Sequence, residues 1–416
     1  NEDFAKPVTD VLNFFKLRGS WGQNGNADIN NFQYLATIAF DHDSQYFFND
    51  KSSPSTGGYP DIMANPDVSW ETSEQIDLGF DARLFTSRLQ LNFDWYKKTT
   101  KDWLVVAPQL ASYGTGAPYI NGGDVENKGI EVSIKWNDNI GDLKYTVGIN
   151  MSTNKNKVTR IANEEGIIHG PENVLAQNTD ELYRVEVGKP MGYFWGYKID
   201  GVFQNQAQID KFLADGKAYL QDSIVSGDLI FHDSNGDGVI DSKDKTEIGN
   251  PHPDFNLGLN LSLEYKGIDF SINAYGMYGH QIAKSYRNFS NMPNNNYTTD
   301  VYSKYWTGEG STNRYPRFTD GKNANMKEVS ELYIEDANFL KISNITLGYD
   351  LKHIWSNLPF QKIRVYVSGQ NLFTFTKYSG MDPEVGYGDN ENWASGIDLG
   401  YYPNPRTILG GLNITF

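Results

Sequence analysis

The stretch PDFNLGLNLSLEY places Phe255, Leu257, Leu259, Leu261, Leu263 and Tyr265 on one side of an extended chain. Asn256, Gly258, Asn260, Ser262 and Glu264 fall on the other. Side chains of a β-strand alternate between two faces, so this segment has one apolar and one polar face along its whole length. The same pattern recurs in RLQLNFDWY, where Leu89, Leu91, Phe93 and Trp95 oppose Gln90, Asn92, Asp94 and Tyr96. It recurs through Ile130, Val132, Ile134 and Trp136, and through Leu143, Tyr145, Val147, Ile149 and Met151. The chain closes on RTILGGLNITF, with Ile408, Leu412, Ile414 and Phe416 on one face and only Leu409 out of phase.

The pattern predicts ten strands, near 14–24, 73–85, 88–103, 127–137, 143–157, 253–266, 268–283, 336–351, 361–376 and 406–416. Between Ile342 and Ile345 the phase slips, which predicts a bulge. Connections alternate in length. The short ones are Thr86-Ser87, Asn137 to Asp142, Lys266-Gly267 and Lys352 to Phe360; the long ones cover 25–72, 104–126, 158–252, 284–335 and 377–405. Short turns at one end and long loops at the other are the asymmetry of a transmembrane barrel. A soluble sandwich or propeller also alternates, but its strands usually run only about 5–6 residues. Aromatics near strand ends (Trp95, Tyr96, Trp136, Tyr265, Tyr278) suit an interfacial girdle. The expected fold is therefore all-β, an antiparallel transmembrane barrel whose last strand ends with Phe416 at the short-turn, periplasmic side.

Composition fits this reading. The 416 residues carry a net charge of -16, which argues against nucleic acid, and no cysteine, which removes disulfides and thiolate chemistry. None of the six histidines forms a zinc-protease pair. Mean hydropathy is -0.55 and no apolar run approaches the ~18 residues of a membrane helix, a deficit that strand-crossing proteins share. The chain begins at Asn1 without a secretory leader, so it is expected to be part of a longer product.

Several blocks resemble the SusC-like TonB-dependent transporters of the Gram-negative outer membrane. They are KLRGSWGQNGN (16–26), NPDVSWETSEQIDLGFDARLF (65–85), NGGDVENKGIEV (121–132), VGKPMGYFWGYKIDGVFQ (187–204), GDLIFHDSNGDGVIDSKDKTEIGNPHPDF (227–255), FLKISNITLGYDL (339–351), RVYVSGQNLFTFTKYSGMDPE (364–384) and the closing PNPRTILGGLNITF. The match covers only the C-terminal barrel part of the family pattern, with neither plug domain nor TonB box. The resemblance implies active import of a nutrient, most of all a glycan or oligosaccharide, with peptide as the other option. It implies delivery by a SusD-like surface lipoprotein and TonB acting through a plug in the missing N-terminal part. It also implies that Phe416 is read by the assembly machinery, which is compatible with a plain lipid-facing role. The expected whole is a 22-stranded plugged barrel, to which these residues contribute the last ten strands and whose edges at 14–24 and 406–416 need partners from the N-terminal segment.

Within 158–252, a large extracellular insertion, DSNGDGVIDSKD sets Asp233, Asn235, Asp237, the Val239 carbonyl, Asp241 and Asp244 at the positions of a calcium loop, with Gly238 at the sharp turn. Position 12 is Asp rather than Glu, and helical flanks are not evident. The alternative is a hairpin tip with solvated carboxylates. YGTGAPY (113–119) lacks the ending of a phosphate loop. The pairs Glu71/Glu74 and Glu164/Glu165 could be cast as glycosidase acid and base, but with 52 acidic residues such pairs arise by chance, and no enzymatic role is expected. Trp195, Tyr197, Trp306, Tyr315, Trp393, Tyr401 and Tyr402 lie in loops, where they could stack on sugar rings or pack the loops together. The rival reading is a secreted or surface-exposed soluble glycan-binding β-protein without transport activity, which would purify without detergent.

Overall fold

The computed structural model describes residues 11–47, 54–107, 113–175, 178–217, 219–221, 223–286, 296, 298–319, 324–357, 359–385 and 394–416. Ten long strands form one antiparallel sheet in chain order. They are β1 (Leu12–Asn26), β2 (Glu71–Leu84), β3 (Leu89–Val106), β4 (Tyr119–Ile140), β5 (Leu143–Ser152), β6 (Phe255–Tyr265), β7 (Ile268–Tyr278), β8 (Phe339–Asp350), β9 (Lys362–Thr376) and β10 (Thr407–Thr415). β1 and β10 are the two edges of this open wall and do not pair with each other. A further strand, Lys155–Ile161, pairs with the loop-end half of β4.

Register carries the alternation across the wall. Phe80 of β2 faces Leu17 and Phe93, Phe93 faces Val132, Val132 faces Met151, and Met151 faces Leu257. This face is apolar and open: Leu17, Trp21, Leu78, Ile149, Leu347, Val367, Ile408 and Leu412 are all exposed on it. The opposite face is polar. Arg18 bridges Asp81 (3.0 Å) and Asp94 (2.8 Å), Asn260 donates to Asn273 (2.6 Å), and Arg364 donates through Nε to Asp269 (2.7 Å). Leu409 lies on this inner face opposite Ser368, as its phase requires. The predicted bulge is present: Ala274 pairs Ile342 while Asn273 pairs Asn344, which leaves Ser343 extra.

Short turns close one end of every hairpin. Lys266 (φ 46°) and Gly267 (φ 86°) join β6 to β7, and a Cβ on Gly267 would come within 2.5 Å of the His353 ring. Phe416 is at this end, its ring 5.3 Å from that of Phe360. Trp136 lies near Phe85 (6.1 Å) and donates to the Tyr145 hydroxyl (3.3 Å), an aromatic cluster at the same end. Trp95 pairs with Ile130, level with the end of β5. Tyr96 is not part of the girdle: it turns inward and donates to the Thr153 carbonyl (3.3 Å).

The connection expected at 104–126 is largely strand. β3 and β4 continue past a register shift at Thr100/Trp103, where Asp102 takes φ 53° and Arg160 ties Asp102 (2.7 Å) to Asp124 (2.8 Å). The extension gains buried partners, since Val105, Val125 and Val158 enter the core of a cap above the wall.

That cap is built from the other long connections. Thr246–Gly249, Tyr193–Gly196, Tyr183–Glu186 and Ile167–His169 form a four-stranded sheet, and Ile199–Val202 pairs with Leu229–Phe231. Ile334–Asp336, Gln281–Lys284 and Ile397–Asp398 form a third sheet, which joins the connections after β7 and β9. Helix α1 (Gln206–Ala214) starts where the Asn205 side chain accepts the Gln208 N–H. Leu182, Tyr183, Val185, Phe194, Val202, Leu229 and Ile397 are fully shielded, each such burial contributing roughly 1.5–3 kcal/mol. The conventional hydrophobic core thus lies in the cap rather than in the wall.

Candidate functional site: cap and inner wall

The candidate surfaces are the inner face of the wall and the cap at its loop end. On the inner wall, Asn92, Asp94, Glu131, Ser133, Asn150 and Asn256 line a concavity of about 550 Å³. Among the described residues, no donor meets Asp94 Oδ1 or Asn256 Oδ1, both shielded there. This part of the inner wall therefore carries hydrogen-bond acceptors, set among apolar neighbours such as Met151 and Met277.

The Asp233–Asp244 loop is compact. Asp233 accepts the N–H groups of Gly236 (2.7 Å) and Gly238 (2.9 Å), and Gly238 takes the left-handed conformation (φ 83°) that the sharp turn needs. Asp244 is fully buried and accepts from Ser234 (2.9 Å), Asn235 (3.3 Å) and Asp241 (2.8 Å). Asp237 accepts the Val239 N–H (2.8 Å), and Asp241 caps the short turn Ser242–Asp244. Burial pushes the Asp233 carboxyl up, but the N–H groups of Gly238, Gly236 and Asp237 outweigh it and hold it below the usual aspartate value. The donors are all oxygen, the chemistry calcium accepts. Among the described residues, no three His, Cys, Asp or Glu converge as a metal cluster; the loop's carboxylates turn onto its own backbone.

The loop aromatics divide. Tyr197 is 2% exposed, its ring 5.5 Å from Phe231, and burial raises its hydroxyl well above the usual tyrosine range. Tyr315 is buried, with the Lys304 ammonium 6.0 Å over its ring. Trp306 is half-buried against the same core. These three pack the loops. Trp195 lies under the Arg184 guanidinium, 3.7 Å from its ring centre, so one of its faces is already taken. Tyr401 and Tyr402 are open to solvent, Tyr402 at 91%. Trp393 lies outside the described residues. Of the carboxylate pairs, Glu71 accepts the Leu104 N–H (3.3 Å) and Glu74 pairs with Lys101 (2.9 Å); Glu165 meets His169 (3.1 Å).

Sequence reasoning missed one constellation. Lys341 of the inner wall is buried against Asp382 and Glu384, residues 41 and 43 positions away. No motif spacing links them; the only clue was a lysine on the inward phase of β8 beside the bulge.

A wall of long antiparallel strands, apolar outside and polar inside, with every long loop at one end, defines a section of a transmembrane β-barrel. Residues 8–372 match the model of the family described as TonB dependent receptor-like, beta-barrel, and the chain belongs to that family. It is 32% identical over 423 residues to TonB-dependent receptor P3 of Formosa agariphila, with 100% of this chain aligned to 40% of that protein. It is 28% identical over 422 residues to TonB-dependent receptor SusC of Bacteroides thetaiotaomicron, covering 39% of it. The solved structure of the RagAB peptide transporter superposes with a TM-score of 0.76 at 21% identity, over 100% of this chain and 42% of that one, a likeness of fold. The chain thus spans about 40% of the length of the relatives it matches.

Proposed function

We propose that this chain is the C-terminal wall and cap of an outer-membrane importer of the SusC kind, which moves a nutrient through the lumen behind the polar face. The supporting observation is the one-sided arrangement: an exposed apolar row from Leu17 to Leu412 that suits lipid, a wet inner wall, and a folded cap at one end only. In this reading the short turns and Phe416 lie on the periplasmic side. The remaining strands and a plug come from the N-terminal part of the same transporter. A SusD-like surface lipoprotein covers the cap, and TonB acts on the plug. The cargo is an oligosaccharide, with the exposed rings of Tyr401 and Tyr402 as stacking candidates; peptide is the second option, named by the RagAB relative. We also propose that Asp233, Asn235, Asp237, Asp241, Asp244 and the Val239 carbonyl hold calcium, as a structural rather than catalytic ion.

A soluble glycan-binding protein would leave the apolar row in water, a larger open patch than soluble surfaces carry. Epitope tags test the placement. Tags inserted within 158–175 or 298–319 of the full-length protein are expected to bind antibody on intact cells, and tags at Thr86-Ser87 or Lys266-Gly267 only after lysis. The reverse labelling would overturn the topology, and recovery of untagged protein in the soluble fraction would overturn import. Native mass spectrometry of the detergent-purified protein would show whether sugar or peptide accompanies it.

A further inference from the structure

Lys341 lies on the inner face of β8, opposite Tyr275 of β7 and Thr374 of β9, and is only 2% exposed. An ammonium withdrawn from water needs anions beside it. Its Nζ meets the carboxylates of Glu384 and of Asp382, the latter at 3.5 Å, and the Tyr275 hydroxyl donates to Glu384. Both acids belong to residues 378–385, which follow β9 and fold back over the inner wall. The segment is tied down along its length. Glu335 accepts the Ser379 N–H (3.0 Å) and hydroxyl (2.8 Å), Tyr378 donates to Asp398 (2.7 Å), and the Pro383 carbonyl is 3.5 Å from His280 Nε2. Asp382 also accepts the Asn404 N–H (3.2 Å), and Tyr378 and Val385 pack with Ile282 and Ala337.

We propose that residues 378–385 are a strap clamped across the inner face of the wall at its loop end, that Lys341 is the clamp, and that the strap comes off as one unit when the clamp is released. The contacts interlock. With Lys341 neutralised, the buried Asp382 carboxylate and the half-buried Glu384 carboxylate lose the cation it supplies, and the remaining contacts of the strap lie on the same short stretch of chain. The strap's purpose, bordering the mouth of the lumen, rests on the import reading given above; its test does not.

Hydrogen exchange read by mass spectrometry on the full-length protein supplies that test. Lys341→Met keeps most of the unbranched side chain, one atom shorter, and removes its charge. Protection in 378–385 and 394–405 is expected to fall on the order of 100-fold or more, with peptides showing whole-segment opening. Protection in β8 and β9 is expected to stay, and Lys341→Arg to restore most of the strap's. If Lys341→Met does not assemble, Asp382→Asn combined with Glu384→Gln breaks the same clamp from the strap side and is expected to loosen the same peptides. Unchanged protection in 378–385 overturns the clamp. Loss that spreads equally into β8 and β9, or residue-by-residue opening, overturns the strap as a unit.

Discussion

Leu261 and Ser262 are neighbours in sequence and face different media. Leu261 pairs with Val147 and Ile272 on the apolar face, while Ser262 pairs with Thr146 and Ser271 on the polar one. Leu261→Arg in the full-length protein is therefore expected to cost about 2–4 kcal/mol, the penalty for arginine near a bilayer midplane. Ser262→Arg, facing the wet side, is expected to change stability far less. Urea titration in lipid vesicles measures both, and equal costs would refute the assignment of faces. A second residue-scale expectation concerns His280. Burial holds its imidazole below the usual histidine range, an effect the Pro383 carbonyl opposes. The unfolded segment then takes up a proton before the folded one does. The contribution of the neutral ring is intact above about pH 6.5 and is lost as pH falls through the lower folded value. Protection factors of peptides at 279–284 and 378–385, in which intrinsic exchange cancels, are expected to be flat above pH 6.5 and to decline below it.

At the scale of elements, the period-two pattern sufficed for all ten wall strands, because each has to present one face to each medium. Even the slip at Ser343 was legible, since a bulge shifts the phase visibly. Other features left no such mark. The far ends of β3 and β4 are set by packing of Val105 and Val125 against Val158, a cap contact with no periodicity of its own. The cap strands are two to four residues long, such as Ile397–Asp398 and Tyr193–Gly196, too short for alternation to register. Tyr197 and Tyr315 looked like the other loop aromatics, because burial depends on which loops meet. The Asp233–Asp244 loop was legible as spacing, and the calcium proposed for it is tested by titration. Asp233→Ala with Asp237→Ala is expected to raise protease cleavage within 228–250 while the wall stays folded. Millimolar calcium is expected to protect the wild-type loop but not the variant. Calcium without effect on wild-type cleavage would remove the ion from the proposal.

Among the described residues, the wall ends in two open edges, β1 and β10, whose outward backbone groups have no partner strand. In hydrocarbon such groups have to be paired. Cysteines placed in β1 and β10 of the full-length receptor are therefore expected to cross-link to other strands of the barrel rather than to each other. A Trp21→Cys/Ile408→Cys disulfide would contradict that arrangement.

The buried interior of the cap divides the chain by solvent. Leu182, Phe194 and Leu229 are held together by water's exclusion of apolar surface, the force that carries a heat-capacity signature and that urea weakens. Leu257, Leu259 and Leu261 have no such driving force toward one another in lipid; the wall persists because unzipping strands there would strand backbone groups in hydrocarbon. One polypeptide thus obeys two denaturation regimes. Calorimetry of the receptor in bilayers is expected to resolve a first endotherm with a large heat-capacity step from the cap. A later transition, set by the membrane, would follow from the wall, so a single melting temperature would describe neither part.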